Sequence, residues 1–443
     1  MQNSVLIKKK IEPFSKKILV SSDKSLSIRS ILISAQGIGK SKVKNLLESE
    51  DVLNALKAIK KLGIKVKKKN KEYLIFGNGL NGFRCKNNTT VYAGNSGTLG
   101  RLILGLLVKF KKSVIITGDN SLSKRDFSRV AEPLKLFGPI IDLKKGSLPA
   151  KIKGTNFLRP INYYEKKGSA QIKSSILIAA MNTPGKTIIK ARKSRNHTEL
   201  LFKYLKLPIK VQKARNYDYI HMEGLRQYKG FEYEIPGDIS SASFFIVLTL
   251  LSENSKIIIR KVNINETRLG IIKILNKMNA NIKFKNKKIY KGESIADIIV
   301  ESVKNLKSIN CPSSLNSSAI DEFLVIFLVA AKARGISSFK NLGELNKKES
   351  PRLNIAFKFL NMIGVKVIKN KDDIKIYGNP NLSLNKNYVV KKFLKDHRIF
   401  MMSCVAALTF GGNWKIYDKD SIRTSFPKFL SILRKIGAKI IVN

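Results

Sequence analysis

Six stretches of the chain repeat apolar residues at helical spacing, and each ends at a residue that stops or redirects a helix. They are DVLNALKAIKKLGIKV, stopping near Gly63, RVAEPLKLFGPIID near Gly138, and HTELLFKYLKLPIKV near Pro208. TRLGIIKILNKMNANIK stops near Asn279, RLNIAFKFLNMIGVKV near Gly364, and FPKFLSILRKIGAKIIV near Gly437. A short β-branched run follows each stop, which predicts a helix and then a strand. Glycine and asparagine accept the left-handed backbone that follows a helix end. Pro208 is the exception and simply cannot continue a helix. The stops lie roughly 70 to 85 residues apart, longer than any solenoid repeat. Each stretch therefore marks one small α/β module. Six modules in 443 residues predict two domains of three modules. The boundary falls in IPGDISSAS, residues 235–243, where Pro and Gly break the chain before a helix start made of small residues. Taken alone, this segment reads as an ordinary strand-to-helix turn. Only its place near the middle of the series brings a hinge level with that reading.

Composition changes little in this picture. Hydrophobic residues are 43% and charged residues 26% of the chain, which excludes disordered and fibrous classes. Charge is the unusual feature: 84 Lys and Arg against 31 Asp and Glu give +53. Such a charge suggests phosphate-rich partners, but the lysines are spread along the whole chain beside Ile and Asn. KKNKEYLIFGNGLNGF, residues 68–83, is typical. A binding arm would instead concentrate them in blocks. Codon bias in an AT-rich genome accounts for the pattern and argues against dedicated nucleic-acid binding. Both readings admit anionic small molecules as substrates.

Cys85, Cys311 and Cys404 are far apart and odd in number, so neither a disulfide framework nor a CxxC metal site is expected. With only His197, His221 and His397 beside them, a zinc site is not expected either. The longest apolar runs, residues 242–251 and 323–331, fall short of the ~20 residues of a membrane span. The N-terminal MQNSVLIKKKIEPFSKKILV has no apolar segment after its charges and reads as a strand region. A soluble, cytoplasmic protein is expected.

Candidate chemistry gathers at helix starts. Asp23-Lys24-Ser25-Leu26-Ser27-Ile28-Arg29 follows a strand-like run, and the free N–H groups of the helix favour an anion there. Gly94-Asn95-Ser96-Gly97-Thr98-Leu99-Gly100-Arg101 lets backbone amides approach a ligand closely. It is neither a P-loop nor a Rossmann fingerprint, and its bland reading is a tight turn. Ser169-Ala170-Gln171-Ile172-Lys173-Ser174-Ser175 reads as an N-cap with Gln171 as its capping-box partner. Ser194-Arg195-Asn196-His197-Thr198-Glu199 opens another helix, and its lone histidine reads as structural. Asp321 and Glu322 precede an apolar helix, a position that suits the helix dipole and is also one where a base can be desolvated. Lys348-Glu349-Ser350-Pro351-Arg352 and Asp396-His397-Arg398 open two more. Each cluster has a structural explanation. Together they predict helix N-termini and arginines converging on phosphates and carboxylates.

These motifs, in order, resemble the 3-phosphoshikimate 1-carboxyvinyltransferase (EPSP synthase) family over essentially the whole chain. The stretches that carry the resemblance are DKSLSIR, SEDVLNALKAIKKLG, GNSGTLGR, LSKRDFSRVAEPL, SAQIKSS, SRNHTE, PGDISSASFF, IDE, KESPR, DHR and TSFP. The resemblance implies an α/β fold of two globular domains, each of three repeated units, in the inside-out α/β barrel of enolpyruvyl transferases. Residues 21–240 would form one domain, and 1–20 with 241–443 the other. The implied reaction transfers the enolpyruvyl group of phosphoenolpyruvate to the 5-hydroxyl of shikimate 3-phosphate, without metal or organic cofactor. Domain closure would exclude water. By motif, Lys24 would touch phosphoenolpyruvate, and Gly97, Arg125, Arg352 and Arg398 would line its site. Ser25, Arg29, Ser169, Ala170, Gln171, Ser194 and Lys348 would hold shikimate 3-phosphate, with Gln171 reaching both ligands. Asp321 would take the 5-hydroxyl proton and Glu349 would protonate the methylene carbon, so Asp321, Glu349 and Lys24 form the implied catalytic set. With no side chain at Gly97, the pocket should admit glyphosate. A monomer is the implied oligomeric state.

The chain departs from the family pattern in places. Ser21-Ser22 replace the usual Pro-Gly, and Ile28 stands where His or Asn is usual. LNKKESPR stands for LRVKESDR, so Asn346 replaces an arginine and Pro351 an aspartate. Asp126 follows Arg125, placing an acid beside a proposed phosphate ligand, and Thr424 stands where some members carry lysine, with Arg423 adjacent as a substitute. Three rival readings follow: a related UDP-N-acetylglucosamine transferase, a polyanion-binding protein without turnover, and an inactive homologue. Neither Cys85 nor Cys311 has the loop context of the first. Retention of Lys24, Arg29, Asp321, Glu349 and Arg398 argues against the last.

Overall fold

The computed structural model describes residues 3–70 and 72–443. Their strands form six small sheets, and the chain divides into two compact units. One unit holds the chain up to Ser21, Pro236–Lys288 and Ser294–Asn443; the other holds Ser22–Ile235 and Ile289–Glu293. Each unit has three sheets and a hydrophobic core of its own.

The sheets repeat one plan. In the Ser22–Ile235 unit, Thr89–Tyr92 and Val114–Thr117 pair in parallel across the helix Gly97–Leu106. Ser147–Lys153 and Ile140–Lys144 complete that sheet antiparallel. Asn162–Glu165 and Lys186–Arg192 pair likewise across Ala170–Met181. The remaining sheet, Ile38–Lys44 with Glu72–Asn78 and Lys65–Lys69, takes its parallel strand Glu232–Glu234 from the far end of the unit. The strand that precedes its helix in sequence, Ser15–Ile18, pairs instead with Lys256–Asn263 of the other unit. In that unit Leu384–Val390 and Gly411–Tyr417 repeat the parallel pair.

Two kinds of helix explain this architecture. Glu50–Lys61, Ser128–Lys135 and Gly270–Lys277 have one apolar face. Ile239–Leu251, Phe323–Lys332 and His397–Phe410 are apolar or small on nearly every side and buried almost throughout. A helix without a polar face needs cover all round, whereas an antiparallel strand of alternating pattern needs cover on one face only. Glu72–Asn78 alternates between buried and half-buried in this way. The all-apolar helices therefore occupy the interior and the sheets cover them.

Five of the six expected helix stops are left-handed: Gly63, Gly138, Asn279, Gly364 and Gly437 have φ of 86°, 116°, 70°, 77° and 112°. The third differs. His197–Tyr204 reverses at Lys206, φ 56°, where the amides of Lys206 and Leu207 donate back to Lys203 O and Phe202 O at 3.0 Å each. The helix has already turned before Pro208, so the left-handed Lys206 rather than the proline ends it.

Cys311 and Cys404 are buried and Cys85 is partly exposed. Burial pushes the Cys311 thiol up to about 11 and that of Cys404 higher still. Since the thiolate is the reactive form, a thiol reagent at pH 8 should titrate Cys85 alone in the native protein and all three cysteines after denaturation. Fast reaction of a second native thiol would contradict the packing. Among the described residues, no helix is long and apolar enough to cross a membrane.

Candidate active site

In the Ser22–Ile235 unit, the sequence motifs sit at the starts of four helices: Lys24–Gln36, Gly97–Leu106, Ala170–Met181 and His197–Tyr204. Asp23, Ser96 and Ser169 cap the first three by accepting from the amides of Leu26, Leu99 and Ile172 at 2.8, 3.2 and 3.4 Å. Lys24 Nζ pairs with the buried Asp51 at 2.9 Å. Arg29 is buried and joins three of these helices. Its Nε donates to Thr198 Oγ1 at 2.9 Å, its Nη2 to Ser174 Oγ at 3.0 Å and its Nη1 to Ser25 O at 3.1 Å. Burial lowers its pKa to about 10, while Asp23 and Glu199 hold it up and the nearby Arg195 opposes them. It stays charged at neutral pH. Arg195 and Arg29 repel each other, and an anion bound between helix N-termini would relieve that repulsion.

Each residue of His197-Thr198-Glu199 anchors a different partner. His197 Nδ1 lies 2.7 Å from Glu293 Oε1, both buried. Thr198 braces Arg29 and also donates to Ser174 Oγ at 2.8 Å. Glu199 pairs with the fully buried Lys173 at 2.6 Å, and that lysine reaches Ser194 O at 3.5 Å. Ser194 Oγ is buried without a hydrogen bond among the described residues.

Gln171 is not a capping-box partner. It lies at the second helical position after Ser169, and Ala170 at the first. Its Oε1 accepts from Arg101 Nη1 at 2.6 Å and its Nε2 donates to Thr98 Oγ1 at 3.1 Å. A Cβ added at Gly97 would stand 2.9 Å from Arg101 Nη1 and 3.1 Å from Arg125 Nη1. Gly97 thus borders two guanidinium groups. Arg125 in turn donates to Asn95, whose amide donates to Asp119 at 2.9 Å. Asp126 is turned away, accepting from the Ser128 amide and pairing with Arg129 at 3.0 Å. The acid that follows Arg125 is therefore neutralised locally.

In the other unit, Asp321, Lys348, Glu349, Arg352 and Arg398 form one cluster. Asp321 Oδ1 lies 3.3 Å from Lys348 Nζ and 3.5 Å from Arg352 Nη1. Arg352, 1% exposed, forks onto Asp396 at 2.8 and 3.2 Å and reaches Glu349 Oε2 at 2.5 Å. Burial opposes its charge, but Asp396, Glu349 and Asp321 override it and raise its pKa. Burial likewise pushes Asp396 up, and Arg352 more than reverses that, so its pKa lies below the ordinary value. Asp396 also caps the helix His397–Phe410 through the Arg398 amide, and Arg398 Nη1 donates to Asp321 O at 2.6 Å.

One member of this network, Arg268, escaped the sequence reading. Arg268 pairs with the helix cap Asp238 at 2.8 Å and donates to Ser240 Oγ at 2.6 Å. Ser240 donates to Glu322, which stands 3.8 Å from Arg398. Arg101 was visible in its motif, but only its contact with Gln171 gives it a role. Arg423 pairs with Asp420 at 2.9 Å and is well exposed, whereas Thr424 Oγ1 approaches His397 Nδ1 at 3.2 Å.

The EPSP synthase (3-phosphoshikimate 1-carboxyvinyltransferase) family model matches residues 8–433. A 3-phosphoshikimate 1-carboxyvinyltransferase of Ruthia magnifica subsp. Calyptogena magnifica is 39% identical over 422 residues, 95% of either chain. One from Zymomonas mobilis is 35% identical over 439 residues, 98% of this chain and 96% of its own. Among solved structures, an EPSP synthase from Acinetobacter baumannii superposes with a TM-score of 0.87 at 34% identity over the full length of both chains. The enolpyruvyl transferase NikO of Streptomyces tendae shares the fold, with a TM-score of 0.77 at 12% identity over 100% of this chain and 99% of its own. The chain belongs to the EPSP synthase (3-phosphoshikimate 1-carboxyvinyltransferase) family.

Proposed function

We propose that the two clusters carry out the family's reaction with the residue roles that their chemistry suits. The reaction joins phosphoenolpyruvate to shikimate 3-phosphate and gives 5-enolpyruvylshikimate 3-phosphate and phosphate, a step of the shikimate pathway to aromatic amino acids. The observation that carries the reading is one carboxylate, Asp321, 3.3 Å from Lys348 and 3.5 Å from Arg352, with Glu349 on the same guanidinium. The 5-hydroxyl oxygen adds to carbon 2 of phosphoenolpyruvate and gives its proton to Asp321, while carbon 3 takes a proton from Glu349. Loss of a proton from carbon 3 and of phosphate from carbon 2 restores the double bond.

Lys24, Gly97, Arg125, Arg352 and Arg398 are assigned to phosphoenolpyruvate, whose phosphate and carboxylate suit guanidinium forks. Ser25, Arg29, Ser169, Ala170, Gln171, Ser194 and Lys348 are assigned to shikimate 3-phosphate, and Gln171 to both ligands. Ser194 supports this, since a buried hydroxyl without a partner favours a ligand that supplies one. The protein is taken to act as a monomer in the cytoplasm, with residues 21–240 as one domain and 1–20 with 241–443 as the other. The test is phosphate release by the purified protein. Release that requires both substrates supports the reading, and no release with both present overturns it.

Gly97→Ala should raise KM for phosphoenolpyruvate on the order of tenfold, because the methyl displaces the ends of Arg101 and Arg125. The inhibition constant for glyphosate should rise with it. Constants equal to those of the wild type would remove Gly97 from this site.

A further inference from the structure

We propose that Asn346 is a positioning residue that caps the helix Arg352–Met362 in place of Pro351 and so holds the segment that carries Lys348 and Glu349. Pro351 is the N-cap of this helix and has no side-chain acceptor to offer. The first free amides are nonetheless satisfied. Arg352 N donates to Ser350 O at 2.8 Å, and Ile355 N, at 3.0 Å to Pro351 O, begins the helical ladder. Between them, Leu353 N and Asn354 N both donate to Asn346 Oδ1, at 3.1 and 3.2 Å. The oxygen that an N-cap residue normally supplies comes here from the 3-10 helix Gly343–Lys347.

This closes residues 347–351 into a loop fastened at both ends. Within it, Lys348 reaches Asp321, Glu349 reaches Arg352, and Ser350 Oγ donates to Asp396 at 2.8 Å. Ser350 and Arg352 are held from beyond the loop by Asp396. On its N-terminal side the loop leaves the 3-10 helix Gly343–Lys347, and Asn346 ties that helix to the start of Arg352–Met362. Loss of the Asn346 oxygen leaves two amides without this acceptor and loosens the loop that presents Lys348 and Glu349. A proline that cannot cap and an asparagine that caps from a distance form a compensating pair.

The catalytic half of this inference rests on the proposed function; the capping half does not. Asn346→Ala should speed hydrogen exchange at the Leu353 and Asn354 amides. It should lower kcat about tenfold at temperatures where the variant is fully folded. Asn346→Asp keeps an acceptor oxygen and should restore both. Pro351→Asp supplies a cap at the usual position, so it should be nearly silent alone and should rescue both readouts when added to Asn346→Ala. Unchanged exchange at both amides in Asn346→Ala overturns the cap, whatever the activity. Faster exchange with unchanged kcat, or a lowered kcat that Pro351→Asp does not rescue, overturns the positioning role. A wild type inactive with both substrates removes the proposed function and with it the positioning role, and leaves the cap to the exchange measurement.

Discussion

Asp321→Asn should lower kcat by about 10²- to 10⁴-fold and change KM for either substrate little. The substitution keeps the shape of the side chain and an oxygen for Lys348 and Arg352, but removes the group that accepts the proton. Asp321 suits a base because it is only 14% exposed yet open enough to meet a ligand, and its Oδ1 is held by two cations from another segment. Arg398 fixes the backbone beside it by donating to Asp321 O. The loss should appear in single-turnover phosphate release as well as in steady state, since the chemical step is the one affected. Asp321→Ala should show the same collapse. Release that survives both substitutions would keep the activity and move the base elsewhere, with Glu349 the next candidate.

Arg352→Met should destabilise its unit by about 3–5 kcal/mol, the usual cost of removing one partner from a buried ion pair. The side chain is 1% exposed, Asp396 is completely buried, and three carboxylates depend on the same guanidinium. Methionine fills most of the volume, so the loss isolates charge rather than packing. The thermal midpoint should fall by on the order of 10 °C. Arg352→Lys should lie between, because an ammonium keeps the charge but cannot fork onto Asp396. An unchanged midpoint in Arg352→Met would mean that the carboxylates find other partners or protons. If the methionine variant does not fold, the lysine variant still reads the effect.

How much of this was legible follows the range of each interaction. Helix starts and stops are local events. Asp23, Ser96, Ser169 and Asp396 cap amides two or three residues away, so the motifs could be placed on helix N-termini from spacing alone. Gln171 was misjudged as a capping-box partner because its partners, Arg101 and Thr98, are 70 and 73 residues away. Arg268 lies in none of the motifs and carried no local signal, and Glu322 was legible only as an acid at a helix start; Ser240, on a third element, accepts from one and donates to the other. The reversal at Lys206 was hidden because lysine, unlike glycine or asparagine, gives no signal for the left-handed region it adopts there.

The sequence by itself determined the six modules, the class of the fold, and the positions at which chemistry-bearing residues open helices. Periodicity, capping and glycine stops act over a few residues, and an ordered set of such motifs is specific enough to name a family. Tertiary structure decided which strand joins which sheet. Ser15–Ile18 pairs in one unit while the helix after it lies in the other, and Glu232–Glu234 makes the reciprocal exchange. It also decided which partners the buried charges meet. Arg29 with Thr198 and Arg352 with Asp396 are pairs separated by 169 and 44 residues. The physical reason is that a buried charge is tolerable only beside its partner, and the fold, not the neighbouring sequence, brings that partner to it.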